Sequence, residues 1–91
     1  MATDITATTI NSTGTVFGGP ARLRTISYVN TATAGSVVFR DGGASGPIKL
    51  IVDTAASVDQ EIMNIPDQGI RFQTDIHATL TNVTSLTSMF S

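Results

Sequence analysis

The chain has 91 residues, a formal net charge of −2 and only 13% charged residues, about half the roughly 25% usual in soluble domains. That length holds one domain, and the absence of cysteine removes disulfides and thiolate metal sites. The five basic residues are dispersed and no apolar run approaches a bilayer span, so neither nucleic acid nor a membrane is an expected partner.

Threonine, alanine, serine and glycine fill the places that charges would take, a mixture that favours extended backbone with small side chains. The N-terminal Met1-Ala2-Thr3-Asp4-Ile5 has neither the basic nor the apolar region of a signal peptide, so synthesis in a cytoplasm without export by that route is expected. Residues 1–19 read as a Thr-rich N-terminal arm or first strand, with Ile5, Ile10, Val16 and Phe17 as its large apolar groups. Gly18-Gly19-Pro20 then punctuates the chain, and residues 20–91 read as a single β-sandwich domain.

Arg22–Asn30 alternates as a strand, with Leu23, Thr25, Ser27 and Val29 on one face and Arg22, Arg24, Ile26 and Tyr28 on the other. A turn at Ala32–Gly35 leads to Ser36–Arg40, where Val37 and Phe39 oppose Val38. Asp41-Gly42-Gly43-Ala44-Ser45-Gly46-Pro47 is the strongest turn signal in the chain, its Asp-Gly start supplying the positive φ of a hairpin loop. Ile48–Asp53 follows with Ile48, Leu50 and Val52 inward. Asp59–Ile65 places Met63 and Ile65 opposite Gln60 and Asn64, with Ile62 out of pattern. Pro66-Asp67-Gln68-Gly69 is a loop, Ile70–Phe72 a short strand, and Asp75–Thr81 a strand with Ile76, Ala78 and Leu80 on one side. Asn82–Thr84 turns into a last strand, Ser85–Phe90. Seven or eight short strands with no three-turn helix predict an all-β fold, a small antiparallel β-sandwich or jelly-roll-like barrel.

Chemistry is sparse. His77 is the only histidine, opposite Ile76, Ala78 and Leu80; Asp75 shares its face and serines are plentiful, but no catalytic motif accompanies them, and a solvent- or interface-facing histidine outweighs a triad. Asp53, Asp59 and Glu61 gather around one loop without a calcium-loop motif, which favours solvated edge charges over a metal site. Gly18-Gly19 and Gly42-Gly43 lack the Lys-Ser/Thr and following helix of a phosphate cradle. Asn11-Ser12-Thr13 and Asn82-Val83-Thr84 match the glycosylation acceptor pattern as a Thr/Ser-rich chain does by chance. The expectation is a protein that is not an enzyme and needs no cofactor.

The strings Ala21-Arg22-Leu23, Ile26-Ser27-Tyr28-Val29 and Ala32-Thr33-Ala34-Gly35-Ser36-Val37-Val38-Phe39-Arg40-Asp41-Gly42-Gly43-Ala44-Ser45-Gly46 carry a resemblance. It continues through Leu50–Ser57, Ile65-Pro66, Gly69–Phe72 and Thr74–Ser85, and so covers about residues 20–90. Together they resemble a family of small tailed-bacteriophage virion structural proteins. The resemblance implies a virion component assembled in the host cytoplasm, foremost a capsid decoration (cement) protein that binds the major capsid protein between capsomers. It also implies self-association as a trimer or dimer, because capsid sites are symmetric. A neck or tail component is the alternative within that class, and a carbohydrate-binding module using the Asp53–Glu61 loop is the alternative outside it. The expected interface residues are Thr8, Thr9 and Ile10 of the Thr3–Thr15 arm, together with a face formed by Arg22, Arg24 and Tyr28, since Tyr and Arg are enriched in interface hot spots.

Overall fold

The computed structural model describes residues 5–66 and 69–91. The start of the expected arm (residues 1–4) and the Asp67-Gln68 centre of the expected loop lie outside the described residues. Among the described residues nine strands form: β1 (Thr6–Ile10), β2 (Gly14–Phe17), β3 (Ala21–Asn30), β4 (Gly35–Arg40), β5 (Ile48–Thr54), β6 (Gln60–Asn64), β7 (Ile70–Phe72), β8 (Ile76–Thr81) and β9 (Val83–Phe90). One more strand appears than the eight expected at most, because the bend at Asn11–Thr13 divides the Thr-rich segment in two.

All pairings are antiparallel. The first sheet runs β1-β9-β3-β6, with β7 sharing the β6 edge of the long β3; the second runs β2-β8-β4-β5. The two halves of the Thr-rich segment therefore border different sheets, β1 on β9 and β2 on β8. The fold is a small all-β sandwich.

Its core follows from two-residue alternation. Leu23, Ile26 and Leu86 of the first sheet and Val37, Phe39, Ile76 and Ala78 of the second are fully buried, and Phe72 joins them from β7. Val37 and Phe39 face inward as expected, as do Ile76 and Ala78. Met63 and Ile65 pack against the core while Ile62 turns outward.

Single extra residues break the alternation in several strands. In β3, Leu23 pairs with Phe90 and Thr25 with the next residue back, Met89, so Arg24 has no partner in β9 and bulges. The phase flips there, and Ile26 and Tyr28 point inward with Leu23. The expected common face of Arg22, Arg24, Ile26 and Tyr28 is thus corrected: Tyr28 is only 7% exposed and belongs to the core. A second bulge, at Lys49, pairs Ile48 with Arg40 and leaves Ile48 exposed, so of the three residues expected inward in β5 only Leu50 and Val52 face the core.

The loops that close the sandwich are held by side chains. Asp41, at the end of β4, accepts the backbone N–H groups of Gln73 (2.9 Å) and Thr74 (2.8 Å) and a longer contact from Asp75. Asp75 Oδ1 in return accepts those of Gly42 (2.9 Å) and Gly43 (3.0 Å). Gly42 and Gly43 present these amides from positive φ, 102° and 89°, a conformation glycine adopts without steric cost. This reciprocal clasp ties the β4–β5 hairpin to the crossing from β7 in one sheet to β8 in the other. At the far end, Thr31 Oγ1 reaches the carbonyls of Thr33 and Asn82, and Asn82 Nδ2 donates to the carbonyl of Ala34.

Candidate interaction surfaces

The outer face of the first sheet is built from three successive cross-strand rows: Ala7–Met89–Thr25–Asn64, Thr9–Thr87–Ser27–Ile62, and Ser85–Val29–Gln60. Not one of these residues is charged. Hydroxyl and amide groups bond to each other across the strands, Thr9 Oγ1 with Thr87 Oγ1 at 2.8 Å, Thr25 Oγ1 to Asn64 Oδ1 at 3.1 Å, and Gln60 Nε2 to Ser27 Oγ at 2.9 Å. Such pairs stabilise the sheet and also satisfy part of the polar surface from within, which lowers the cost of covering it with another protein. Ile62 stands on this face 67% exposed.

Beyond the Ala7–Asn64 row the character changes. Arg22 pairs directly with Arg71 across β3 and β7, and the backbone of Ser91 bonds to Arg22 in both directions, at 2.9 and 3.1 Å. Arg24 Nε donates to Ser91 Oγ at 2.6 Å. Together with Pro20, Ala21 and Phe72 these side chains line an open groove of about 410 Å³. Three of its lining residues are arginines, and no acidic residue is among the described lining. Guanidinium forks match carboxylates and phosphates, so the groove can receive an anion beside an apolar group.

The expected interface residues are therefore dispersed. Thr9 lies on the uncharged face, whereas Thr8 pairs with the fully buried Ser88 in an inward row and Ile10 packs against the core. Arg22 and Arg24 line the groove, and Tyr28 is separated from them by the bulge. Burial and, secondarily, the charge of Glu61 raise the Tyr28 hydroxyl above the usual phenol range. Arg71 escaped sequence reasoning, since nothing local in Ile70-Arg71-Phe72 points across 49 positions to Arg22; only the register does.

His77 faces away from the core residues of β8, yet it is only 7% exposed, set between Thr15 and Arg40 in register. Its buried Nδ1 has no hydrogen-bond partner, and Asp75 directs Oδ1 to the glycine amides, so no oriented histidine–carboxylate pair is assembled. Among the described residues no three His, Asp or Glu side chains gather in a metal-binding group, and no helix is long and apolar enough to cross a membrane. Comparison with known proteins finds no matching family model, curated protein or solved structure.

Proposed function

We propose that this chain is a non-catalytic structural module of a tailed-phage virion, a capsid decoration protein that lays the outer face of its first sheet on the major capsid protein. The observation that supports this reading is the charge-free, internally bonded surface of β1, β9, β3 and β6. Covering it strands no ionic group, and buried unpaired charges are among the costliest defects an interface can contain. A standard interface takes about 800 Å² from each partner, roughly one sixth of the 4987 Å² that this chain exposes.

The test is co-sedimentation of the purified protein with expanded empty heads, beside an Ile62→Lys variant. Ile62 is mostly exposed, so a lysine there leaves the fold intact while placing a charge on the edge strand of the face, at the end of its central row. Saturable binding that the variant loses supports the proposal. Failure of the unaltered protein to bind heads, with the native chain found only in tail fractions, moves it to the neck or tail and ends the decoration reading.

A further inference from the structure

Every basic residue of the chain lies toward one end of the sandwich. Arg22 and Arg24 lie in the first half of β3 and Arg71 opposite them in β7, while Arg40 closes β4 and Lys49 forms the bulge at the start of β5. Among the described residues two carboxylates share that end, Asp41 and Asp75, and both are engaged by backbone amides of the clasp. They sit on the second-sheet side, where Lys49 helps hold Asp41 below the usual carboxylate range, although the amides of Gln73 and Thr74 are the main cause. No acidic side chain is among the described lining of the groove, where Arg24 is bonded to Ser91.

The opposite end carries Asp53, Asp59 and Glu61. Asp53 pairs with Ser36 at the far end of β4, the carbonyl of Asp59 accepts the N–H of Asn30 at the far end of β3, and Glu61 pairs with Tyr28. Between Asp53 and Asp59 runs a turn of small residues with one exception, Val58, which is 74% exposed and the most exposed large apolar residue among those described. An exposed apolar tip followed at once by carboxylates complements a groove lined by the exposed Pro20 and three arginines. β3 alone, at about 3.3 Å per residue, keeps the two features roughly 30 Å apart, beyond the reach of one on the other within a single copy of a body 41 Å long.

Like charges directly opposite on neighbouring strands destabilise a sheet, so the Arg22–Arg71 pair costs stability unless an anion offsets it. We propose that the groove is a docking site for the acidic end of a second copy of this chain, with Val58 seated against the exposed Pro20 and with Asp59 and Glu61 against Arg22, Arg24 and Arg71. The contact joins two different surfaces: made once per pair it closes into a ring or extends as a filament, and made twice between antiparallel copies it gives a two-fold dimer. The inference does not depend on the phage reading, because it uses only the placement of charge on this chain.

Two charge-reversed proteins test it by sedimentation velocity. In the first, Arg22→Asp with Arg71→Asp makes both ends acidic; in the second, Asp59→Arg with Glu61→Arg makes both ends basic. The unaltered protein is expected to associate as concentration rises and to dissociate when salt is raised from about 0.05 M to about 0.5 M, where the screening length falls several-fold. Each reversed protein alone should stay monomeric, with association weakened at least about tenfold, and an equimolar mixture should associate again. Far-ultraviolet circular dichroism establishes that each is folded, and Val58→Asp, at a position too exposed to disturb the core, should weaken association independently. Unaltered protein that stays monomeric at every concentration overturns the proposal, and so does a mixture of folded reversed proteins that remains apart.

Discussion

Replacing Gly35 with alanine makes a sharp test of how the two ladders of the second sheet close on the loop at their far end. A Cβ at position 35 would run into the carbonyl oxygen of Thr81, lying 2.7 Å from the Thr81 carbonyl carbon and 2.8 Å from Asn82 Cβ. Carbon atoms rest at about 3.5–4.0 Å, so the backbone of β8 must retreat by close to 1 Å. That retreat strains the Ser36–Thr81 pairing, the Gly35 N–H bond to Thr54 Oγ1 and the Asn82 bond to the Ala34 carbonyl. Overpacking costs about 1–3 kcal/mol and each weakened hydrogen bond about 0.5–1.5 kcal/mol, giving roughly 3–5 kcal/mol. A domain of this size has about 5–14 kcal/mol in total. With a urea slope of about 1–2 kcal/mol per M, the unfolding midpoint should fall by at least about 1.5 M. Gly14→Ala is the control: an added Cβ there meets nothing within 4 Å, and reduced freedom of the unfolded chain should leave the midpoint unchanged or raise it by about 0.4–1 kcal/mol worth of stability. Equal midpoints for the two variants would refute the close approach.

Asp41 has a folded pKa below its unfolded one because backbone amides hold its charged form, so its contribution to stability is complete above the ordinary carboxylate range and drains away as pH falls through the folded value. The gap in urea midpoint between the unaltered protein and Asp41→Asn should thus be widest near neutral pH and narrow in acid; a gap independent of pH counts against the clasp. Tyr28 is the only tyrosine, so phenolate absorbance reports it alone: the native midpoint should lie above 10.0, and Glu61→Gln should lower it only partway, since burial is the larger cause. A midpoint at the free phenol value, or full reversal by Glu61→Gln, contradicts that ordering.

Much of the sandwich was legible because alternation is a local property. Val37 and Phe39, or Ile76 and Ala78, can be assigned to one face from spacing alone. What spacing does not reveal is where one residue is inserted out of step. Nothing in Leu23-Arg24-Thr25 or Ile48-Lys49-Leu50 distinguishes a bulge from a regular strand, because the extra residue is defined by the partner strand. In β3 the change of phase ran through the rest of the strand and moved Tyr28 from surface to core, whereas in β5 it touched only Ile48, before the bulge, which moved from core to surface. The charge-free face was foreshadowed by composition, but its continuity needed the order β1-β9-β3-β6, which joins strands far apart in the chain. The groove was half legible, through Arg22 and Arg24, and Val58 had a local sign in being a bulky apolar residue within a run of small ones.

The β3 bulge itself leads to a prediction that ordinary substitution cannot test. Inward residues along β3 are Ala21, Leu23, Ile26, Tyr28 and Asn30. Remove Arg24 and these positions alternate without interruption, so the deletion should preserve every core contact of the strand. It forfeits the Ile65 N–H bond to the Arg24 carbonyl and the Arg24–Ser91 contact, a loss of about 1–3 kcal/mol partly offset by a regular ladder. Deleting Ser27 removes one residue from the same strand with the opposite consequence. Either Tyr28 and Asn30 turn outward, or the bulge is absorbed and Thr25 replaces Ile26 in the core. The second, milder choice exposes an isoleucine, about 1.5–3 kcal/mol, and buries a hydroxyl without a partner, about another 1–3 kcal/mol. Urea unfolding of the two deletions should therefore show a folded, cooperative protein without Arg24 and a protein without Ser27 that is several kcal/mol less stable or unfolded. Because both lose one residue of one strand, equal damage would mean that register does not govern this sheet, and the assignment of Arg24 as the inserted residue would fall with it.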